Sequence, residues 1–133
     1  MKLENFPPMP NLTQLLLANN RIQKIESNLS KYLPNLKHLV LQGNQIAELG
    51  DLEPLMHFEK LKTLVLKDNL VYLKPHYRLF MIHKCPQIVN LDYMKVKEKV
   101  RLHFFIWPNL VHFISISSLY RLIIGFLKSI YYL

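Results

Sequence analysis

At 133 residues the chain has room for one hydrophobic core and a short extension, not for two domains with a core each. Lysine and arginine outnumber aspartate and glutamate 17 to 9, a formal net charge of +8 that favours anionic surfaces such as nucleic acid or an acidic protein. Cys85 is the single cysteine, so no intramolecular disulfide can form and a reducing compartment is the natural home; the opening "MKLENFPPMP" lacks the apolar stretch of a secretory signal.

Along the chain, Leu3 and Phe6 come first and read as the tail of a preceding repeat, which would leave the stack with an open apolar edge. The ladder "NLTQLLLANNRI" follows at 11–22, returns as "NLKHLVLQGNQI" at 35–46 and again as "KLKTLVLKDNLV" at 60–71. Its asparagines Asn20, Asn44 and Asn69 stand 24 and 25 residues apart. In the frame LxxLxLxxNxI the copies supply Leu12, Leu15, Leu17 and Ile22; Leu36, Leu39, Leu41 and Ile46; and Leu61, Leu64, Leu66 and Val71. By this period and frame the chain is identified as a member of the leucine-rich repeat family. The expected fold class is α/β: a solenoid with a short parallel sheet on the concave face, short helices or turns on the convex face and a helical cap at the C-terminal end. Repeats are expected at about 12–35, 36–60 and 61–87, with a partial one at 88–99.

The spacing has a mechanical reason. Residues at i and i+2 of a strand share a face, so each copy turns two leucines inward. The chain must then bend while half buried, and an asparagine amide can pair the backbone groups that the bend strands. Asn20, Asn44 and Asn69 are therefore read as structural. Between ladders, Ile25, Leu29, Leu33, Leu49, Leu52, Leu55 and Phe58 are expected to line short convex turns or helices, punctuated by Pro34 and Pro54.

The outward strand positions form three columns: Gln14, His38 and Thr63; Leu16, Val40 and Val65; Ala18, Gln42 and Lys67. The middle column is apolar although it points away from the core. Two readings stand: a groove for a partner's helix, or plain strand propensity. Arg21, Lys24, Lys37, Lys60, Lys62 and Lys67 are candidate phosphate contacts, against an ordinary solvated surface.

A cap is expected over 76–93, with a helix covering much of Pro75 to Lys84: Tyr77, Phe80, Met81 and Cys85 fall at helical spacing and Pro86 ends the helix. A fourth, degenerate copy, "PQIVNLDYMKV", keeps Ile88 and Leu91 but lacks the asparagine, so the stack should stop there, with a fourth strand near Leu91. Cys85 reads as a small core residue rather than a nucleophile, since His83 at i−2 faces elsewhere on a helix. The six histidines are scattered, no HxxxH or CxxC spacing occurs, and none of the three glycines sits in a phosphate-cradling loop, so an enzyme is the weakest class.

Near Lys99 the composition changes. Residues 1–99 hold all 9 acidic residues and 14 of the basic ones, whereas 100–133 is rich in Phe, Ile, Leu and Tyr. The uncharged run Leu102 to Tyr120 covers 19 residues but is diluted by Pro108, Asn109 and three serines, against the roughly 20 apolar residues that a spanning helix wants. A tail anchor is one reading. The other is an intron-derived segment: Lys99-Val100-Arg101 can be encoded by AAG-GTA-AGA, a splice-donor consensus.

The segments "NQIAELGDLEPLMHFEKLKTLVLKDNLV" and "KPHYRLFMIHKCPQIVNLDYMKVKEK" resemble the U2 small nuclear ribonucleoprotein A-prime family, and the likeness runs from about Leu3 to Lys99. Tyr77, Arg78, Phe80, Pro86, Leu91 and Asp92 carry the cap part of it. The resemblance implies a nuclear, non-enzymatic splicing scaffold without cofactor. Such a scaffold holds the RNA-recognition domain of the B-double-prime protein on the concave columns and, with it, binds a stem-loop of U2 small nuclear RNA. A phosphatase-regulator type of adaptor without RNA binding is the alternative. Family members would begin with a capping segment and one more repeat, and would continue after "VKEK" with a charged helix; this chain departs at both ends.

Overall fold

In the computed structural model the described residues are 1–101. The apolar stretch 102–133, with the anchor and intron readings attached to it, lies outside them. In chain order the elements are β1 (Lys2–Leu3), β2 (Gln14–Leu16), β3 (Lys24–Ile25), α1 (Leu29–Tyr32), β4 (His38–Val40), β5 (Thr63–Val65), α2 (Tyr77–Lys84), β6 (Asn90–Leu91) and β7 (Met94–Lys95). Two 3-10 stretches, Leu49–His57 and Leu70–Leu73, fill the connections after β4 and β5.

The ladders become a sheet of order β2-β4-β5-β6-β7, parallel until the last pair, which is antiparallel. Leu15, Leu39, Leu64 and Leu91 stand in register across it, as the repeat frame requires. Beneath the sheet Leu36, Leu39, Leu41, Ile46, Leu61, Leu64, Leu66 and Val71 are fully buried. The convex residues Leu29, Leu33, Leu52, Leu55 and Phe58 close the core from the other side, as expected, while Leu49 is only half buried. Pro54 sits inside the first 3-10 stretch, whose start is held by a reciprocal capping box between Glu48 and Asp51.

The start of the chain takes part in the stack: β1 pairs in parallel with β3, Lys2 opposite Lys24 and Leu3 opposite Ile25, and Leu3 is buried. This second, two-stranded sheet was not legible as a strand pair, because two residues carry no periodicity. The open edge itself is present. Among the described residues strand β2 has no neighbour beyond it, and Leu12, Leu15 and Leu17 stay half buried while their counterparts in the second and third copies are sealed.

Residues Met1–Val96 form one compact unit and a second begins at Lys97. Helix α2 begins two residues later than Pro75, because His76 adopts a left-handed conformation (φ 60°) and only Tyr77 continues as helix.

Candidate functional site

The asparagines behave as connectors between turns of the solenoid. Asn44 Nδ2 donates to the carbonyls of Leu41 (2.8 Å) and, one repeat back, Leu17 (2.9 Å), while its Oδ1 accepts from Ile22 N–H at 3.0 Å. Asn69 repeats the pattern on Leu66 O, Leu41 O and Ile46 N–H. Both are buried. Asn20 is exposed and reaches only the carbonyls of its own loop, Leu17 and Ala18. Its place in the buried ladder is therefore corrected: a rung needs a turn on either side, and Asn20 has one.

The ladder ends by substituting a side chain for backbone. Leu17 N–H donates to Val40 O and Leu41 N–H to Val65 O, but Leu66 N–H donates to Asp92 Oδ1 at 2.7 Å. Asp92 Oδ2 accepts from the Tyr77 hydroxyl at 2.8 Å, and Arg78 Nη1 donates to Leu91 O at 2.9 Å. Tyr77, Arg78, Leu91 and Asp92 thus form the cap as a bonded unit, with Phe80 half buried beside them on α2. Pro86 follows Cys85, the C-cap of that helix. Burial pushes the Asp92 carboxyl above its ordinary value, against the pull of the Leu66 N–H, the Tyr77 hydroxyl and Arg78. Burial, then the Asp92 charge, raise Tyr77 as well. Cys85 is sealed in the core and its thiol is pushed up to about 11 by desolvation, so it stays neutral and inert near neutral pH.

On the concave face two of the three columns stand in register, Gln14, His38 and Thr63 opposite one another, and Leu16, Val40 and Val65 likewise, while Ala18, Gln42 and Lys67 lie just past the strand ends. Their exposure is graded, which corrects the reading of a uniformly solvent-facing stripe. Leu16 is 61% exposed, Val40 is half buried and Val65 is 1% exposed. Strand β2 is the sheet edge, whereas β5 has β4 and β6 on its two sides. Moreover, the Tyr93 hydroxyl donates to Gln42 Oε1 at 2.6 Å, so the phenol reaches across the third repeat from the cap. Only the β2 end of the floor is open.

The candidate phosphate contacts do not form one patch. Lys37 and Lys62 directly precede β4 and β5, and Lys60 lies close by; Arg21 and Lys67 follow β2 and β5, and Lys24 opens β3 beside the loops that carry Asn44 and Asp68. In a parallel sheet these are opposite edges. On the first edge Lys60 donates to Asn35 Oδ1 and Lys62 to Gln87 O. Sequence reasoning also missed a groove of about 850 Å³ on the second edge, lined by Lys24, Asn44, Asp68, Leu70, Tyr72 and Leu73 among others. Leu70 and Leu73 are exposed there, in a 3-10 turn whose repeat frame gave no sign of it. Among the described residues no group of His, Cys, Asp and Glu could hold a metal ion, and no helix is long and apolar enough to cross a membrane.

Comparison with known proteins gives one consistent picture. A leucine-rich repeat family profile matches residues 1–104. The chain is 49% identical over 100 residues to a probable U2 small nuclear ribonucleoprotein A' of Drosophila melanogaster, and 52% over 99 residues to the Neurospora crassa A' protein. These alignments cover 75% and 74% of this chain but only 38% and 39% of the relatives, so the chain spans about two fifths of their length. Among solved structures, one chain of the Drosophila melanogaster SNF/U2A' complex superposes with a TM-score of 0.75 at 48% identity, covering 76% of this chain and 58% of that one. The Mex67 leucine-rich repeat domain of Chaetomium thermophilum superposes at 0.60 with 25% identity, covering 68% and 63%. The chain belongs to the leucine-rich repeat family, and its relatives within it are U2 small nuclear ribonucleoprotein A' proteins.

Proposed function

We propose that this protein is a nuclear, non-enzymatic scaffold of the U2 particle in pre-mRNA splicing. On this reading its concave face holds the RNA-recognition domain of the B-double-prime protein and the pair binds a U2 RNA stem-loop. The observation that carries the proposal is identity near one half to A' proteins over 99 or 100 residues. The concave sheet supports it: Leu16 and Val40 offer an apolar floor between the polar column of Gln14, His38 and Thr63 and the mixed column of Ala18, Gln42 and Lys67. An amphipathic helix laid there would bury that floor. Lys67, Arg21 and Lys24, on one edge, are the cations we assign to RNA phosphate, since Lys60 and Lys62 on the other are engaged within the chain.

The test is direct binding of the purified B-double-prime domain, with and without stem-loop RNA, beside a phosphatase catalytic subunit as competitor. Val40→Asp should abolish binding, because an added charge would be buried without a partner. Lys67→Ala should weaken only the RNA-dependent step, and more at low salt. Capture of the phosphatase with no affinity for the domain would replace this reading with the adaptor one.

A further inference from the structure

The concave face ends in a polar chain that its repeats do not require. Tyr93 O–H donates to Gln42 Oε1 at 2.6 Å, and Gln42 Nε2 donates to Asp68 Oδ2 at 2.7 Å. Its direction is fixed by chemistry. An ionised aspartate only accepts, so the Gln42 amide must turn its nitrogen to Asp68 and its oxygen to Tyr93, whose hydroxyl is then spent as a donor. Both exposed ends of the chain, the Tyr93 oxygen and the Asp68 carboxylate, are left as acceptors.

The arrangement is held from below. Asp92 and Tyr93 both have left-handed backbones (φ 52° and 65°), unfavourable for residues with a Cβ and rare for an aromatic. The bonds of Asp92 to Leu66 N–H and the Tyr77 hydroxyl hold that turn in place. Tyr93 nevertheless remains 66% exposed, and Asp68 is exposed too. A strained turn is being used to bring an open aromatic side chain from the cap to Gln42, 51 residues away in sequence.

We propose that Tyr93, Gln42 and Asp68 form a preorganised acceptor wall that fixes the register of the partner helix by taking a basic side chain from it, an arginine or lysine at the end of its apolar stripe. This rests on the concave-face reading above and names the chemistry the partner must bring. Charge complementarity chooses a protein cation over RNA: a phosphate would meet the Asp68 carboxylate and a phenol with no hydrogen left to give. The wall and the floor divide the work, Leu16 and Val40 supplying apolar contact and Tyr93 with Asp68 the register.

The experiment measures affinity of the full chain for the purified B-double-prime RNA-recognition domain by calorimetry at two salt concentrations, and separately for the stem-loop RNA. Tyr93→Ala removes both the ring and the acceptor oxygen and should weaken domain binding about tenfold. Tyr93→Phe keeps the ring but frees Gln42, and should cost roughly threefold through lost fixing of the wall. Asp68→Asn should cost about threefold and flatten the salt dependence. Both residues replaced are exposed, so thermal melts of the three variants should stay within a few degrees of the parent. Binding by the parent with all three variants unchanged would overturn the wall alone. No binding by the parent would overturn the scaffold reading and the wall with it. Tighter RNA binding by Asp68→Asn with unchanged domain affinity would reassign the surface to RNA.

Discussion

The first and second repeats carry the same frame and are built on the same register, yet they are different objects. In the second, Leu36, Leu39 and Leu41 are fully buried and Asn44 is bonded to two turns; in the first, Leu12, Leu15 and Leu17 are half exposed and Asn20 touches only its own loop. The frame therefore specifies a unit that can be stacked, and its stability is supplied by neighbours on both sides, as in any quasi-one-dimensional array.

That contrast can be broken or sharpened by paired substitutions, each read by urea unfolding of the whole chain. The largest difference should lie in the outward column. Val65→Asp buries a charge between β4 and β6 and should cost on the order of 3 to 5 kcal/mol, whereas Leu16→Asp at the open edge should stay within about 0.5 kcal/mol. Equal effects would show that the edge is covered in solution. Next come the inward leucines: Leu41→Ala should cost about 2 to 5 kcal/mol, and Leu17→Ala, already half hydrated, clearly less.

The asparagines follow. Asn44→Ala takes the side-chain acceptor from Ile22 N–H and one of two side-chain amide donors from the Leu17 and Leu41 carbonyls, and should cost about 1 to 3 kcal/mol, while Asn20→Ala should cost a few tenths. A similar loss at both positions would show that Asn20 too carries a rung, and would contradict the open edge.

The smallest effect concerns the opposite end. Because burial raises the Asp92 carboxyl, the folded state holds that proton more tightly than the unfolded chain. Its contribution is fully present below the ordinary value of 3.8 and is lost as pH rises through the raised folded value, after which it stays constant. Asp92→Asn should flatten this part of the pH profile. Asp92→Ala should instead lower stability at every pH, since Leu66 N–H and the Tyr77 hydroxyl lose their acceptor.

Local pattern was enough to find the repeats, because leucines at i and i+2 and an asparagine three residues on are set by backbone geometry within a single turn. The same local logic placed the strands near Leu15, Leu39, Leu64 and Leu91, the helix ending before Cys85, and Tyr77 in the cap, whereas Arg78 and Asp92 came from the family resemblance alone. What the pattern could not express was how far each unit is covered. Val65 and Leu16 hold equivalent positions in the frame, and only the stacking, in which β2 is the edge strand and β5 an inner one, separates the sealed residue from the open one. The pairing of β1 with β3, the split of the lysines between two edges and the bond from Tyr93 to Gln42, 51 residues apart, arise likewise from stacking. A repeat sequence fixes the turn because its bonds are short-ranged; the surface that a partner meets is assembled from several turns at once, so it exists only in the tertiary structure.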